Sequence, residues 1–579
     1  MLRFFVRLFA TIGLLVVAAL VGAVILVVRY QPSLPETVVL DLDLSRSLAE
    51  GGSDRLGGLL GHEASLREML DALERGRHDP RVKGVLARLG ADTVGFAQTQ
   101  ELRAAVERFR ASGRFAVAYA ESYGEGGSGN RAYLLASAFD EVWLQPLGVV
   151  GLTGLSAEVP FARAALDTLG VQPQLMQREE YKSFAETFTR DAMTPANREM
   201  LTGLVGDLTN QLVDGIAKSR RIAPAAVRGA VDRAPLLDRE ALDLKLIDHI
   251  GYADEARDAA VHRAGNGAET VEVADYLNVA GGPYDSGPTV ALIHVVGTIT
   301  GGKSDRPALG EFTAGSETVV AAIEEAADDP DVRAILFRID SGGGSVAASE
   351  AIRRALMKAR QRGKPVIASM GDTAASGGYW VALAADRIVA SPATITGSIG
   401  VVAGKMSLGG LSDKLGVRWD RVPAARNAGM WSPVHPFSAS EEERMTTIID
   451  TTYAGFLERV AESRRLTPEQ ARSAAKGRVW TGAQARELGL IDDLGGQEEA
   501  LTLARTAAGL AADTAVTLTP YPAPKSLTEE LMTLVSGKGE LVGALAGLAE
   551  LRPLLGQIRN LAGAAQGMRA AMPPIDLTR

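Results

Sequence analysis

Uninterrupted apolar runs alternate along the chain with stretches in which apolar residues recur every three or four positions. The runs TVALIHVVGTI from Thr289, RAILFRI from Arg333, PVIASM from Pro365 and RIVAS from Arg387 carry no polar alternation, the pattern of strands covered on both faces. Between them, SETVVAAIEEAADD, with Ser316 as its N-cap, and SEAIRRALMKARQRG, stopped by Gly363, predict helices. Apolar strands separated by helices predict an α/β fold built on a largely parallel sheet.

The pattern occurs twice. HDPRVKGVLARL from His78 is answered 250 residues on by DDPDVRAILFRI from Asp328, and LGV at Leu169 is answered 246 residues on at Leu415. Ser219-Arg220-Arg221 and LIDHIG from Leu246 return 244 residues on as Ser463-Arg464-Arg465 and LIDDLG from Leu490. A fixed order with a slowly shrinking offset is the mark of tandem duplication with small deletions. The copies run from about residue 37 to 264 and from 288 to 511, with GGPYDSGP, Gly281 to Pro288, at the boundary. The expected plan is therefore an N-terminal segment (1–36), a first copy with its linker (37–287), a second copy (288–511) and a C-terminal tail (512–579). From Leu531 to Met572 the tail is rich in Ala, Gly and Leu and broken by Pro553. It is expected to be helical, packing on the body, on another copy or on a membrane surface, and nothing in it suggests chemistry.

Composition narrows the classes. The 579 residues include 61 Lys and Arg against 70 Asp and Glu, 46% hydrophobic residues and no cysteine. Disorder, collagen and disulfide scaffolds are excluded, as are thiol catalysis and Cys-held metals. The mildly acidic balance gives no footprint for nucleic acid. Leu8 to Val28 is uncharged and of a length to span a bilayer; Arg3 and Arg7 precede it and the first acidic residue is Glu36. Positive-inside logic puts the N-terminus in the cytoplasm and the body outside, on an uncleaved anchor rather than a cleaved signal peptide.

Candidate chemistry differs between the copies. The second carries Ser341-Gly342-Gly343-Gly344-Ser345 after one predicted strand and Ala375-Ser376-Gly377-Gly378-Tyr379 after another, where the first copy reads GADTVGF and GGSGNRAY. Tyr379 aligns with Tyr133, so Ser376 faces Asn130. A Gly-flanked serine opening a helix presents a hydroxyl beside free backbone N–H groups, as a nucleophile and an oxyanion hole require; tight turns and a helix cap are the plain alternative. None of the six histidines sits in a triad-like motif, His294 falls inside an apolar strand and no HExxH is present. A buried lysine is the other available base. Lys182, in REEYKSFAETFTRDAMT, faces Ala428, so the lysine belongs to one copy and the serine to the other. The segment Gly297 to Ser304 fits the phosphate-loop pattern GxxxxGK[ST], but Pro307 and Gly310 interrupt the helix that pattern needs, and nucleotide binding is set aside.

The segments AASGGYW from Ala374, SPATITGSIGV from Ser391, RIDSGGGSVAASE from Arg338 and EYKSFAETFTRDAMT from Glu180 resemble the signal peptide peptidase A (protease IV) family in its long, duplicated form, over nearly the whole chain. The resemblance implies two Clp protease/crotonase-like ββα-superhelix domains after one transmembrane helix. It implies Ser376 as nucleophile, Lys182 as general base, Ser398 as the hydroxyl orienting the lysine, and an oxyanion hole from the backbone N–H of Gly377 with Gly343 or Gly344. The family usually reads Ser-Pro-Gly-Gly where this chain has Ser341-Gly342-Gly343-Gly344, which leaves open which glycine donates. The implied activity is that of a membrane-anchored serine endopeptidase, a homotetramer on the periplasmic side of a bacterial-type inner membrane, cutting released signal peptides and other unstructured apolar peptides. No metal or cofactor is implied. A crotonase-like acyl-thioester enzyme and a catalytically silent membrane scaffold are the alternatives; the Ser/Lys pair divided between copies argues against both.

Overall fold

The apolar runs assemble into two parallel sheets that share one strand order. The computed structural model describes residues 33–51, 64–305, 312–523 and 567–571. The apolar span Leu8 to Val28 lies outside them, and among the described residues no helix is long and apolar enough to cross a membrane.

In the first sheet, β1 (Thr37–Asp43), β2 (Val82–Leu89), β3 (Phe115–Ala120), β4 (Glu141–Leu144), β8 (His249–Ile250) and β9 (Ala268–Glu272) lie in the order β9-β1-β2-β3-β4-β8. In the second, β10 (Thr289–Val296), β13 (Val332–Ser341), β15 (Val366–Ala375), β16 (Arg387–Ala390), β20 (Asp493–Leu494) and β21 (Thr517–Tyr521) lie in the order β21-β10-β13-β15-β16-β20. Each of these pairings is parallel, as strands linked by crossover helices must be. Even a defect repeats. The ladder slips between Val38 and Val39 in one sheet and between Thr289 and Val290 in the other.

The side chains that lock each unit repeat as well. Tyr133 Oη donates to the Leu246 carbonyl at 2.6 Å, and Tyr379 Oη to the Leu490 carbonyl at 2.7 Å. The long helices Pro195–Arg220 and Ala439–Arg464 each close on an arginine in the left-handed region, Arg221 and Arg465. The last helical arginine of each forks onto an aspartate, Arg220 onto Asp248 and Arg464 onto Asp492.

Two expectations change in detail. Ser316 is the first residue of its helix and Gly315 occupies the cap, whereas Gly363, at φ +80°, does follow the helix Val346–Gln361. Of the stretch Leu531 to Met572, expected to be helical, only 567–571 lies among the described residues, and it is a strand, β22 (Gly567–Ala571), which enters a third sheet; ahead of that stretch, β21 extends the second sheet.

That third sheet joins the copies. Its order is β12 (Thr313–Gly315), β11 (Thr298–Thr300), β14 (Gly343–Ser345), β22, β18 (Val402–Ser407) and β6 (Gln172–Gln177). β6 belongs to the first copy, yet it pairs antiparallel with β18 of the second from Gln172 opposite Ser407 to Gln177 opposite Val402. Nearby, β17 (Ile395–Gly397) bridges β15 and the antiparallel β19 (Val479–Thr481), while β5 (Val149–Val150) and β7 (Leu236–Leu237) form a small ladder. A buried charge cluster also clamps the copies: Arg338 on β13 pairs with Glu50 and, at 2.8 Å, with Glu101, both from the first copy. Asp372 accepts the N–H groups of Ala97 and Gln98 at 2.7 and 3.2 Å, capping the helix Phe96–Ala111 across the boundary. Removing one partner from such a buried set would strand the others in low dielectric, so the copies are held in fixed register.

Candidate active site

Ser376 directly follows β15 and stands at the cap position of the short helix Gly377–Ala382. Its backbone is at φ 55°, ψ −111°, an unusual conformation for a residue with a side chain. Two bonds hold it there: its N–H donates to the Gly397 carbonyl at 2.8 Å, and its carbonyl accepts from Trp380 at 2.8 Å. Gly378 permits the sharp strand-to-helix turn, because a Cβ there would lie 2.4 Å from the Ser341 carbonyl oxygen.

Lys182 arrives from the other copy, five residues beyond β6. Its Nζ lies 2.8 Å from Ser376 Oγ, 2.8 Å from the Ser398 carbonyl oxygen and 3.0 Å from Ser398 Oγ. Ser376, Lys182 and Ser398 are each fully buried. Burial holds the Lys182 amine well below the usual lysine range, and among the described residues no carboxylate pairs with it to restore the charge. A neutral amine has two hydrogens and one lone pair. Donating both hydrogens to Ser398 leaves the lone pair facing the Ser376 hydroxyl, the arrangement of a base poised over a nucleophile.

The seat of the lysine is made of glycine. A Cβ on Gly477, at φ +75°, would lie 2.5 Å from the Lys182 backbone nitrogen, and one on Gly400 would lie 3.1 Å from Lys182 Cδ. Ser398 is itself at φ +51°, fixed by its N–H bond to the Arg478 carbonyl at 2.7 Å. The sequence reading missed Gly400 and Gly477: each lies apart from the serine motif, and only the folded chain shows that the first copy's backbone passes against them.

The glycine cluster stands beside the serine. A Cβ on Gly377 would lie 3.0 Å from Gly344 N and 3.1 Å from Gly343 Cα, so the two backbones are in contact. The N–H of Gly343 donates to Ser341 Oγ at 3.2 Å, and Ser341 Oγ in turn donates to the Gly297 carbonyl at 2.6 Å. Gly344 is itself paired in the ladder, opposite Ile299 of β11 and Ala570 of β22.

The remaining candidates fall away from this centre. His294 lies on β10, where burial pulls it down to about pH 4, and none of the described histidines bonds to Ser376 or Lys182. The phosphate-loop pattern does not form such a loop. Residues Thr298–Thr300 are strand β11, and the next helix starts at Ser316 rather than at Lys303.

Residues 108–266 and 358–511 match the sequence pattern of peptidase family S49, one segment in each copy. The chain is 34% identical over 484 residues to protease 4 of Salmonella typhi, covering 81% of this chain and 75% of that one. It is 32% identical to protease 4 of Haemophilus influenzae over 78% of this chain and 74% of the relative. It is also similar, at 28% identity over 85% of this chain and 72% of the relative, to a chloroplast serine protease SPPA of Arabidopsis thaliana. With both halves matched and three quarters of the bacterial relatives spanned, the chain belongs to peptidase family S49, the serine peptidases that include signal peptide peptidase A, or protease IV.

Proposed function

We propose that this serine peptidase works through a dyad divided between its copies, with Ser376 as nucleophile and Lys182 as general base. The 2.8 Å approach of Lys182 Nζ to Ser376 Oγ, in a site without a charge to hold the lysine protonated, carries the reading. Neutral Lys182 takes the Ser376 proton as Oγ attacks the scissile carbonyl carbon. The tetrahedral oxyanion is met by the backbone N–H of Gly377 and of Gly344, or of Gly343 should its bond to Ser341 yield. Lys182 then passes the proton to the departing amine, and a water activated by the same lysine releases the acyl group from Ser376. Ser398 holds the amine through its carbonyl and hydroxyl and so acts as a positioning residue. Because the base must be neutral, activity falls as pH drops through the lowered pKa of Lys182.

The rest of the reading follows the family. The copies are residues 37–287 and 288–511, and Leu8 to Val28 anchors the body to the outer face of an inner membrane. The substrates are released signal peptides and other unstructured apolar peptides, and the chain works as a homotetramer.

The deciding experiment is hydrolysis of a peptidyl ester and of casein by wild type, Ser376→Ala and Lys182→Met, each checked for folding. Both variants are expected to lose about 10⁴-fold or more in kcat/KM, as removal of one member of a catalytic unit does. A folded Lys182→Met chain with near-wild-type activity would sink the base assignment.

A further inference from the structure

Asp340 and Asp372 stand where the serine-bearing strand leaves the main sheet. β13 and β15 pair in register up to Ile339 opposite Met370, and the next pair is Ser341 opposite Ala374, so β15 carries extra residues at that point. Before this bulge β15 pairs with β16, and after it with β17, whose Gly397 carbonyl holds the Ser376 N–H. Bulges beside active sites re-aim the strand that follows them. This one is closed by carboxyls. Asp340 Oδ1 accepts the Thr373 N–H at 2.9 Å, while Asp372, in the bulge itself, takes the Ala97 and Gln98 N–H groups of the first copy. Both strands then run on into the site: Asp340 is followed by Ser341 and the glycine cluster, and Asp372 lies four residues before Ser376.

The first copy lacks both the bulge and the carboxyls. β2 and β3 pair without a slip from Gly84 to Leu89, and the offsets of 250 and 246 place Gly90 and Gly126 where the second copy has Asp340 and Asp372. The same sheet is built without the two acids, so the fold alone does not require them.

Charge decides what the pair does. Each of the two aspartates keeps some exposed surface as a residue, but its carboxyl is enclosed, together with Glu50, Glu101 and a single guanidinium, Arg338. A low-dielectric site of that composition cannot keep all four carboxyls ionised. Glu50 and Glu101 touch Arg338 directly; burial raises Glu101, but Arg338 and the Gln497 N–H at 3.0 Å oppose it. Asp372 has two helix-start N–H donors, which favour its charge. Asp340 has one, and it faces the charges of Glu50 and Asp372 with Arg338 as the opposing cation. His294 on β10 is neutral above about pH 4, and Arg67 is engaged by Asp71 at 2.6 Å, so neither offsets that excess. Burial first, and then Glu50 and Asp372, hold Asp340 well above the usual carboxylate range, while Asp372 is pushed up to about 6, chiefly by burial.

We propose that Asp340 and Asp372 are positioning residues for the reaction: one proton, held on Asp340, keeps the bulge closed, and its loss drives the two carboxylates apart and moves Ser376 away from Lys182 and the glycine cluster. The inference rests on the reading of Ser376 as nucleophile. The folded chain holds this proton more tightly than the unfolded one, so its contribution is present at low pH and is lost as pH rises through the raised value. Activity therefore has an alkaline limb, opposite to the acid limb that Lys182 sets.

The test follows kcat for a fluorogenic peptide from about pH 5 to about pH 10, the span between ordinary carboxyl and lysine values, in wild type, Asp340→Asn, Asp340→Ala and Asp372→Asn, with folding checked at each pH. Asparagine keeps the acceptor for the Thr373 N–H and cannot ionise, so Asp340→Asn is expected to match wild type at neutral pH and to lose the alkaline limb. Asp340→Ala leaves that N–H unpaired and is expected to lower kcat by about 10²-fold at every pH, as a displacement of about 1 Å does. Asp372→Asn removes one of the charges that keep the proton on Asp340 and is expected to move the limb to lower pH. The inference is overturned by a wild-type profile without an alkaline limb, by the same limb in Asp340→Asn, or by a limb that Asp372→Asn leaves in place. Should Asp340→Ala fail to fold, the two asparagine variants decide alone. Ser376→Ala is assayed alongside. If it keeps activity, the nucleophile reading has failed; if it is inactive while the Asp340→Asn profile matches wild type throughout, only the role of the proton has.

Discussion

The two copies build the same corner of the fold and use it in opposite ways. In the second copy the corner holds Ser376, with the N–H of Gly377 beside the glycine strand. In the first, the residue facing Ser376 is Asn130, and its side chain is spent on its own surroundings. Asn130 donates to Ser128 Oγ and to the Gly154 carbonyl, both at 2.7 Å, and accepts the Gly154 N–H at 3.0 Å. The positions facing Gly377 and Gly378 are Arg131 and Ala132, and both of their N–H groups donate at 2.8 Å to one oxygen of Asp92. Asp92 stands where the second copy has Gly342, by the offset of 250 that also relates the helices Phe96–Ala111 and Val346–Gln361. Helix-start N–H groups of this geometry take an anion; in the first copy the chain supplies it permanently, and under the proposed mechanism the second copy keeps the place for a transient oxyanion. The copy that closed its own corner instead exports Lys182 on the segment following β6.

The comparison breaks most visibly if the closed corner can be reopened by one residue. It should not be: in a Ser376→Ala background, Asn130→Ser is expected to leave the loss of about 10⁴-fold unrecovered. Among the described residues no lysine bonds to Asn130, and Asp92 fills the donors. Measurable serine-dependent turnover from that double variant would show that the corners differ less than their bonds indicate.

The reverse transplant is milder. Gly342→Asp places in the second copy the carboxylate that plugs the first, and kcat is expected to fall by about 10² to 10³, the usual effect of losing an oxyanion donor. A folded Gly342→Asp chain of full activity would argue that the Gly377 N–H is not where charge develops. Milder again is Gly477→Ala. Its Cβ would press on the Lys182 backbone, and a displacement of about 1 Å is expected to lower kcat by up to about 10²-fold. Gly477→Ala should lower kcat more than it raises KM, because it moves the proposed base rather than a group that holds substrate.

Much of this was legible in the chain. The repeats around Asp328, Leu415 and Leu490 mark matching strands and turns, and the exchange of serine for asparagine and alanine for lysine indicates that one site is assembled from both copies. What stayed hidden depends on contacts without a local pattern. QPQLMQ, the sequence of β6, has neither the apolar run nor the alternation of a strand, and it is extended because β18 offers it an edge. GMRAA, the sequence of β22, is too short and too small-sided to announce itself and is a strand only because it lies between two others. Gly400 and Gly477 look like ordinary turn glycines until Lys182 is packed against them. The Asp92 plug is a single acidic residue, and its role appears only where Arg131 and Ala132 begin their helix.

Stability should separate the corners as activity does. Asp92→Ala removes the acceptor of two backbone N–H groups and of the Ser128 hydroxyl, at 2.8, 2.8 and 2.7 Å. A destabilisation of about 1–3 kcal/mol is expected in urea titration, with peptidase activity retained at temperatures where the chain is folded. A loss of activity in proportion to the loss of fold would show that the first copy's corner takes part in the reaction.

The smallest effect concerns the open corner and has the opposite sign. Lys182 is held well below its unfolded value by burial, so at pH values between the two the unfolded chain carries a proton on this residue that the folded chain does not. Unfolding therefore takes up a proton, and the contribution of Lys182 to stability rises with pH from its lowered pKa toward the unfolded lysine value of about 10.4. Lys182→Met removes the buried amine, fills similar volume and forfeits the contacts with Ser376 and Ser398. The inactive variant is expected to melt slightly higher than wild type at pH 7, with the gap closing as pH is raised toward 10. Thermal unfolding at several pH values measures it directly. A Lys182→Met chain less stable than wild type at every pH, by the same margin, would mean that the lysine is charged in the folded protein and cannot serve as the base.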